Sequence, residues 1–221
     1  MNTRERRAAR ELRGYLERLY GPQPDLALGY VEGLGVLRVH MAVTGVSAPR
    51  PEGGTHSDAS IDRHAPDYVA LVARLAAQLV AIRSERYTPA GGLVPVACQD
   101  GEEDLVEAFA PLFPAGTIEV DVPWQEVLRA GAGILAAEGL LDGIKTTQAK
   151  SKFASLRWYY SSRYKSDNAR LREIMSALEH LSTVVCETCG APGVHRKGGW
   201  HVIACDPCQE ERDRQRRKRG G

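Results

Sequence analysis

Absences set the first bounds on this chain. No run of 18 or more apolar residues occurs among its 221 residues, so a membrane-crossing helix is not expected. The opening stretch, Met1 to Arg18, is Arg-rich, carries Glu5, Glu11 and Glu17, and lacks the apolar centre of a secretory leader. That points to the cytoplasm. GxxxxGK[ST], GxGxxG and GxSxG are all missing, which removes the common phosphate-cradling, dinucleotide and nucleophile-elbow chemistries. There is no internal repeat beyond a pair of CxxC units. Outside that pair only one cysteine exists, Cys98. It follows the apolar Leu93, Val94 and Val96 and has no histidine near it in sequence, so it reads as a buried core thiol and not as a nucleophile.

Net charge is nearly absent too, at +1, but the balance is uneven along the chain. Residues 1–144 hold 13 Lys+Arg and 20 Asp+Glu, a balance of −7; residues 145–221 hold 16 and 8, a balance of +8. A polyanion would meet the C-terminal third first. Equally, the two regions could attract each other or serve only to keep the chain dissolved.

Hydrophobic periodicity supplies the elements. Ala8, Leu12, Tyr15, Leu16 and Leu19 make a helical stripe over Thr3 to Tyr20, ended by Gly21 and Pro22. Gly35 to Thr44 alternates, with Leu37, Val39, Met41 and Val43 on one face, and predicts a strand. Gly45 to Ala65 is a long loop of Gly, Pro, Ser and Asp. A helix from Pro66 to about Arg86 presents Tyr68, Leu71, Val72, Leu75, Leu79 and Val80, a face broad enough to pack on a sheet. Gly91 to Cys98 reads as a short strand. Asp100 with Glu103 gives a capping pattern for a helix from Glu102 to about Leu112. A brief strand at Thr117 to Val120 and a helix opening at Pro123 follow, the latter weakened by Gly131, Gly133 and Gly139. Lys145 to Lys152 is a polar stretch. Phe153 to Tyr160 predicts a strand, and Ser166 caps a helix to about Ser182 with Leu171, Ile174, Met175, Leu178 and Leu181 inward. Residues 212–219 form a charged tail. The expected class is α+β, mixed helices and short strands with a C-terminal zinc ribbon. Its expected parts are an acidic body (1–121), a strand–helix module (122–183), the ribbon (184–210) and a basic tail (211–221).

The ribbon expectation rests on Cys186-Glu-Thr-Cys189 and Cys205-Asp-Pro-Cys208, separated by 15 residues. In a reducing compartment this spacing signals metal ligation, not disulfides. Each CxxC forms a knuckle whose backbone amides point at the sulfurs, and Gly190 supplies the left-handed residue after the first. Val194, then Trp200, Val202 and Ile203, flank a Gly198-Gly199 turn, which suits a hairpin. Four thiolates around Zn²⁺ make a closed, structural site with no open position for water. His195 and His201 lie within the spacer and could substitute for a cysteine. Arg196 and Lys197 at the hairpin, Trp200 as a stacking ring, and Arg214, Arg216 and Arg217 in the tail are candidate nucleic-acid contacts. The same ribbon could instead clamp the C-terminus onto the preceding helix, or dock a protein.

Thr147-Gln-Ala-Lys-Ser-Lys-Phe-Ala-Ser-Leu-Arg-Trp-Tyr-Tyr160, then a helix, then Cys186-Glu-Thr-Cys-Gly-Ala-Pro-Gly193, resembles a group of small phage and prophage proteins. They share a QxKxK[FY]xxLR[FWY]Y strand, a helix and a CxxCGxPG ribbon. The likeness covers about residues 122–208. Many of those proteins close the ribbon with a Cys and a His, where this chain has Cys205 and Cys208. The resemblance implies a phage accessory role in the host cytoplasm and carries no catalytic residue across. Lys150, Lys152 and Arg157 lie near or on this strand, with Tyr159 beside Arg157. Basic groups interleaved with aromatics suit nucleic acid but equally a solvated sheet face covered by a helix, and the aromatic set reads as core more than as a binding platform.

His56, Asp58, Asp62 and His64 cluster in the long loop without a metal-site spacing. The acidic run Glu102, Glu103 and Asp104 is accounted for by a helix N-terminus. The sequence therefore supports a non-enzymatic accessory protein that contacts nucleic acid through its basic third. Its alternative is an inhibitor or adaptor whose acidic region (7 basic and 17 acidic residues over 21–144, a balance of −10) covers a basic surface on a host defence or replication enzyme.

Overall fold

The computed structural model describes residues 3–23, 25–31, 40–48, 61–164, 168–197 and 200–219. In chain order these form α1 (Thr3–Tyr20), β1 (Ala27–Val31), β2 (His40–Thr44), α2 (Pro66–Ser84), α3 (Cys98–Ala108), β3 (Ile118–Glu119), α4 (Val122–Ala137), a 3₁₀ turn (Leu141–Gly143), β4 (Ile144–Lys152), β5 (Ser155–Ser162), α5 (Ala169–Ser182), β6 (Val194–Arg196), β7 (Val202–Ala204) and α6 (Asp206–Arg219). The class is α+β, as the sequence predicts.

Helix α1 buries Ala8, Leu12, Tyr15 and Leu16, the stripe its periodicity marks. Helix α2 is buried more widely than its predicted face. It buries Tyr68, Val69, Leu71, Val72, Ala73, Leu75, Ala76, Ala77, Leu79 and Val80, which leaves almost no polar face. A helix apolar nearly all round needs cover on several sides, and α1, α4, α5 and β2 provide it. It thus packs on the β1–β2 sheet through β2, as its apolar face predicts, and on three helices as well. Gly131 of α4, a weak point on propensity alone, allows close approach to α5: a Cβ there would come 2.6 Å from Leu178 Cδ1.

Strands β1 and β2 pair antiparallel, from Ala27 opposite Thr44 to Val31 opposite His40; β1 has no counterpart in the sequence reading, and residues 35–39 of the expected strand lie outside the described residues. A second sheet has the order β3-β4-β5, with β3 parallel to β4 and β4 antiparallel to β5. The polar stretch 145–152 is therefore a strand. A bulge between Thr146 and Gln148 breaks its period of two, so the buried positions are Ile144, Thr146 and Ala149. Thr146 is buried because its Oγ1 accepts from Trp158 Nε1 at 2.9 Å, and Trp158 stacks on Phe113 at 5.2 Å. Strand β5 starts at Ser155, since Phe153 and Ala154 form the turn.

Three local expectations are corrected. Gly91 to Cys98 is not a strand: only Tyr87 and Leu93 bridge, and Pro95 offers no amide to extend the pairing. Helix α3 starts at Cys98, not Glu102, and its N-cap Ala97 makes no side-chain cap, so the Asp100–Glu103 capping box does not form. Helix α5 is capped by Asn168, whose Oδ1 accepts from the Leu171 amide at 2.9 Å; Ser166 lies outside the described residues. Among the described residues no helix is long and apolar enough to cross a membrane.

One buried apolar cluster runs from Ala8 on α1 to Ile203 on β7. Within it lies a charged group. Arg83, fully buried, donates from Nε to Glu11 Oε2 at 2.9 Å and from Nη1 to Glu126 Oε2 at 3.0 Å. Tyr87 Oη and Arg7 Nε also donate to Glu11, at 2.7 and 3.1 Å, and Arg86 pairs with Glu126. Burial alone would raise the Glu11 pKa, but the charge and hydrogen bond of Arg83, then the bonds from Tyr87 and Arg7, outweigh it and hold the carboxyl below its usual range.

Replacing Arg83 by Met is expected to cost about 3–5 kcal/mol, because two buried carboxylates lose their common partner; urea denaturation measures it. Since the folded-state pKa of Glu11 is depressed, its contribution is present above the unfolded value of about 4.3 and lost as pH falls through the folded one. Stability of the wild type should therefore decline below about pH 5, and that part of the decline should vanish in Glu11→Gln.

Candidate metal centre

Four sulfurs converge at the C-terminal end. Cys186 and Cys189 come from the turn after α5, Cys205 from the end of β7, and Cys208 from the first turn of α6. Their Sγ atoms all lie within 4.8 Å of one another, with Cys189 and Cys205 at 3.5 Å. A tetrahedron with metal–sulfur bonds near 2.3 Å has edges of about 3.8 Å, so the donor set can close on one ion with small adjustments. Among the described residues it is the only grouping of three or more His, Cys, Asp or Glu that could hold a metal.

Local structure explains the convergence. In the first knuckle the Gly190 amide donates to Cys186 C=O at 2.8 Å and the Cys186 amide to Ala191 C=O at 2.9 Å. Gly190 takes φ +72°, the left-handed residue expected after the knuckle. Hydrogen bonds from the Cys189 thiol and from the amides of Cys205, Cys189 and Thr188 favour the Cys186 thiolate, and together they outweigh desolvation and lower its pKa. Across the site, β6 and β7 pair from Val194 opposite Ala204 to Arg196 opposite Val202. Glu187 fastens the knuckle to β7: its amide donates to Ile203 C=O at 3.0 Å and its carboxylate accepts from the Ile203 amide at 2.8 Å.

The body of the protein grips this knuckle. Arg83 Nη2 donates to Cys189 C=O at 3.0 Å, and Tyr15 Oη donates to Gly190 C=O. Trp124 Nε1 donates to Val185 C=O at 3.1 Å. Gly190 is doubly constrained, because a Cβ there would come 1.9 Å from Arg83 Nη1. Arg83, Tyr15 and Trp124 belong to no sequence motif that marks them as site residues. The available signal was a charge inside a buried stripe: Arg83 follows Leu79 and Val80 by four and three residues on α2, and Glu11 sits between Ala8 and Tyr15 on α1.

The candidate contact residues divide into two sets. Arg157 pairs with Glu179 of α5, and Arg196 donates to Ala204 C=O at 3.1 Å and pairs with Asp206. Both are engaged within the fold. Lys152, Lys197, Arg214, Arg216 and Arg217 are exposed, and Trp200 is 76% exposed. Among the described residues, Arg214 pairs along its own helix, with Glu211 at 2.7 Å. His195 and His201 do not join the sulfurs; their rings stack at 4.9 Å and share a 2.8 Å hydrogen bond on the exposed hairpin. Cys98 is exposed at the start of α3, not a core thiol. Of the loop cluster, His56 and Asp58 lie outside the described residues, while Asp62 Oδ1 accepts from the His64 amide at 3.0 Å.

Comparison of the chain with protein-family models, with curated proteins and with solved structures finds no match.

Substituting Cys186→Ser is expected to abolish stoichiometric metal on elemental analysis of the purified protein. Amide exchange should then accelerate at position 186, Glu187 and Gly190, whose bonds hold the knuckle, while α2 stays protected.

Proposed function

We propose that the chain is a structural-zinc protein that contacts nucleic acid through its ribbon turn and C-terminal helix. Four convergent thiolates favour Zn²⁺ among the borderline-soft ions, and such a site is complete, with no coordination position left for a substrate. The metal's role there is therefore structural. Zinc would organise the knuckles and fix where α6 starts, since Cys208 is both a ligand and a first-turn residue of that helix.

The observation that carries the reading is α6 itself. None of its fourteen residues is buried, so it gains nothing from packing an apolar face. Its second half exposes Arg214, Arg216, Arg217, Lys218 and Arg219. Arg212 with Arg216, and Arg214 with Lys218, are like charges at i,i+4, each pair costing about 0.2–0.5 kcal/mol in isolation. Cations near a helix C-terminus recover part of that from the macrodipole. A row of phosphates would relieve the rest, and exposed Lys197 and Trp200 extend the same chemistry to the ribbon turn. The motif order shared with the phage and prophage proteins supports an accessory role in a host cytoplasm.

A second reading draws on α3, which buries only Leu105 and exposes Asp100, Glu103, Asp104 and Glu107. An acidic helix face of this kind suits an inhibitor or adaptor docking on a basic protein surface. Capture of a host protein that survives nuclease treatment would favour it.

For the first reading, affinity for a labelled DNA or RNA should fall steeply with salt, by about 0.7–0.9 in logarithmic slope per phosphate contact. Deleting residues 212–219 should lower that slope by several such contacts. Affinity that does not change between low and moderate salt overturns the proposal.

A further inference from the structure

Between β5 and α5 the surface opens into a groove of about 660 Å³. Its charged lining is Arg63, Lys152, Arg157 and Arg172 against a single acid, Glu179; four cations and one anion leave an excess of three positive charges. Four aromatic residues line it, Phe153, Trp158, Tyr159 and Tyr160, and two of them are exposed. Phe153 is 74% exposed and Tyr159 is 42% exposed. Each exposed ring carries an ammonium: Lys152 Nζ lies 5.6 Å from the Phe153 centroid and Lys150 Nζ 5.5 Å from the Tyr159 centroid.

The backbone under Phe153 is a second, independent observation. Lys152 pairs with Ser155, so β4 and β5 are joined by a two-residue turn. Phe153 and Ala154 both take positive φ, 53° and 58°. That turn is ordinarily built from Asn-Gly, because side chains with a branched or bulky Cβ are strained there. A large apolar ring in the left-handed region is costly, and here its exposure means that packing does not offset the cost. Strain of this kind collects at binding sites.

We infer that this groove binds single-stranded nucleic acid, with bases stacked on Phe153 and Tyr159 and phosphates held by Lys152, Arg172 and Arg63; the inference rests on the nucleic-acid reading above and names its substrate class. Alternating rings and cations match a strand whose bases are splayed and whose phosphates follow at regular intervals. A duplex keeps its base faces stacked internally and cannot offer them to the rings.

The test uses the full-length, metal-loaded protein and fluorescence anisotropy with labelled oligothymidylate, alone and annealed to oligoadenylate. Phe153→Gly should preserve or raise the thermal midpoint, since it removes the strained side chain. It should weaken binding of the single strand about 5- to 150-fold, leaving duplex binding and the salt slope unchanged. Tyr159→Ala should act in the same direction. Unchanged single-strand affinity in both variants, while deletion of 212–219 still weakens binding, overturns the groove and leaves the helical surface standing. Equal losses for single strand and duplex also overturn it. No binding of either probe by the wild type overturns both proposals.

Discussion

A guanidinium sealed inside an apolar cluster has few permissible arrangements. Removed from water, Arg83 must be met by acceptors in most of the directions its donors point, or the fold loses several kcal/mol. Glu11 from α1, Glu126 from α4 and Cys189 C=O from the knuckle take up those directions. Each acceptor arrives on a different element, so satisfying one side chain fixes three elements against α2. The position of the C-terminal sulfurs is in this way set from the N-terminal half of the chain, with Tyr15 and Trp124 adding bonds to the same backbone. Apolar packing alone would tolerate some sliding of the ribbon; directional bonds to a buried charge would not.

The four-cysteine cluster was largely legible in the sequence because ligand chemistry is local: two CxxC pairs at hairpin spacing specify both the donors and the turns that aim them. The four helices with apolar stripes were legible for a related reason, since burial writes itself as period. What stayed hidden was burial carried by polar residues or by irregular spacing. Strand β4 passed as a polar stretch because its bulge moves the inward positions from Ile144 and Thr146 to Ala149, and because Thr146 is buried through a hydrogen bond to Trp158. The buried Arg83 group was invisible as a group. Its members lie at residues 7, 11, 83, 86, 87 and 126, and only the packing of three helices brings them together. The residue 91–98 segment shows the reverse error, where apolar composition suggested a strand that Pro95 cannot complete.

The basic third of the chain is not one surface. Arg157 and Arg196 are built into ion pairs that tie β5 to α5 and β6 to the start of α6. Lys152, Lys197 and the second half of α6 face solvent. Net charge by region, which is what composition reports, cannot separate these uses. They differ only in whether a carboxylate lies within reach in the folded state, and cations held by the fold contribute less to a polyanion partner than those left to solvent.

The knuckle glycine carries an asymmetry that would show as lineages diverge. Gly190 answers to two separate demands, a left-handed backbone angle and the closeness of the Arg83 guanidinium. Arg83 answers to one, the carboxylates and carbonyl gathered around it. If Arg83 and its two acidic partners were exchanged together for apolar side chains, the steric demand on Gly190 would ease, yet the torsional demand would persist. The glycine should therefore outlast the arginine in descent, and a descendant with Asn at the glycine position should already have lost the buried charge.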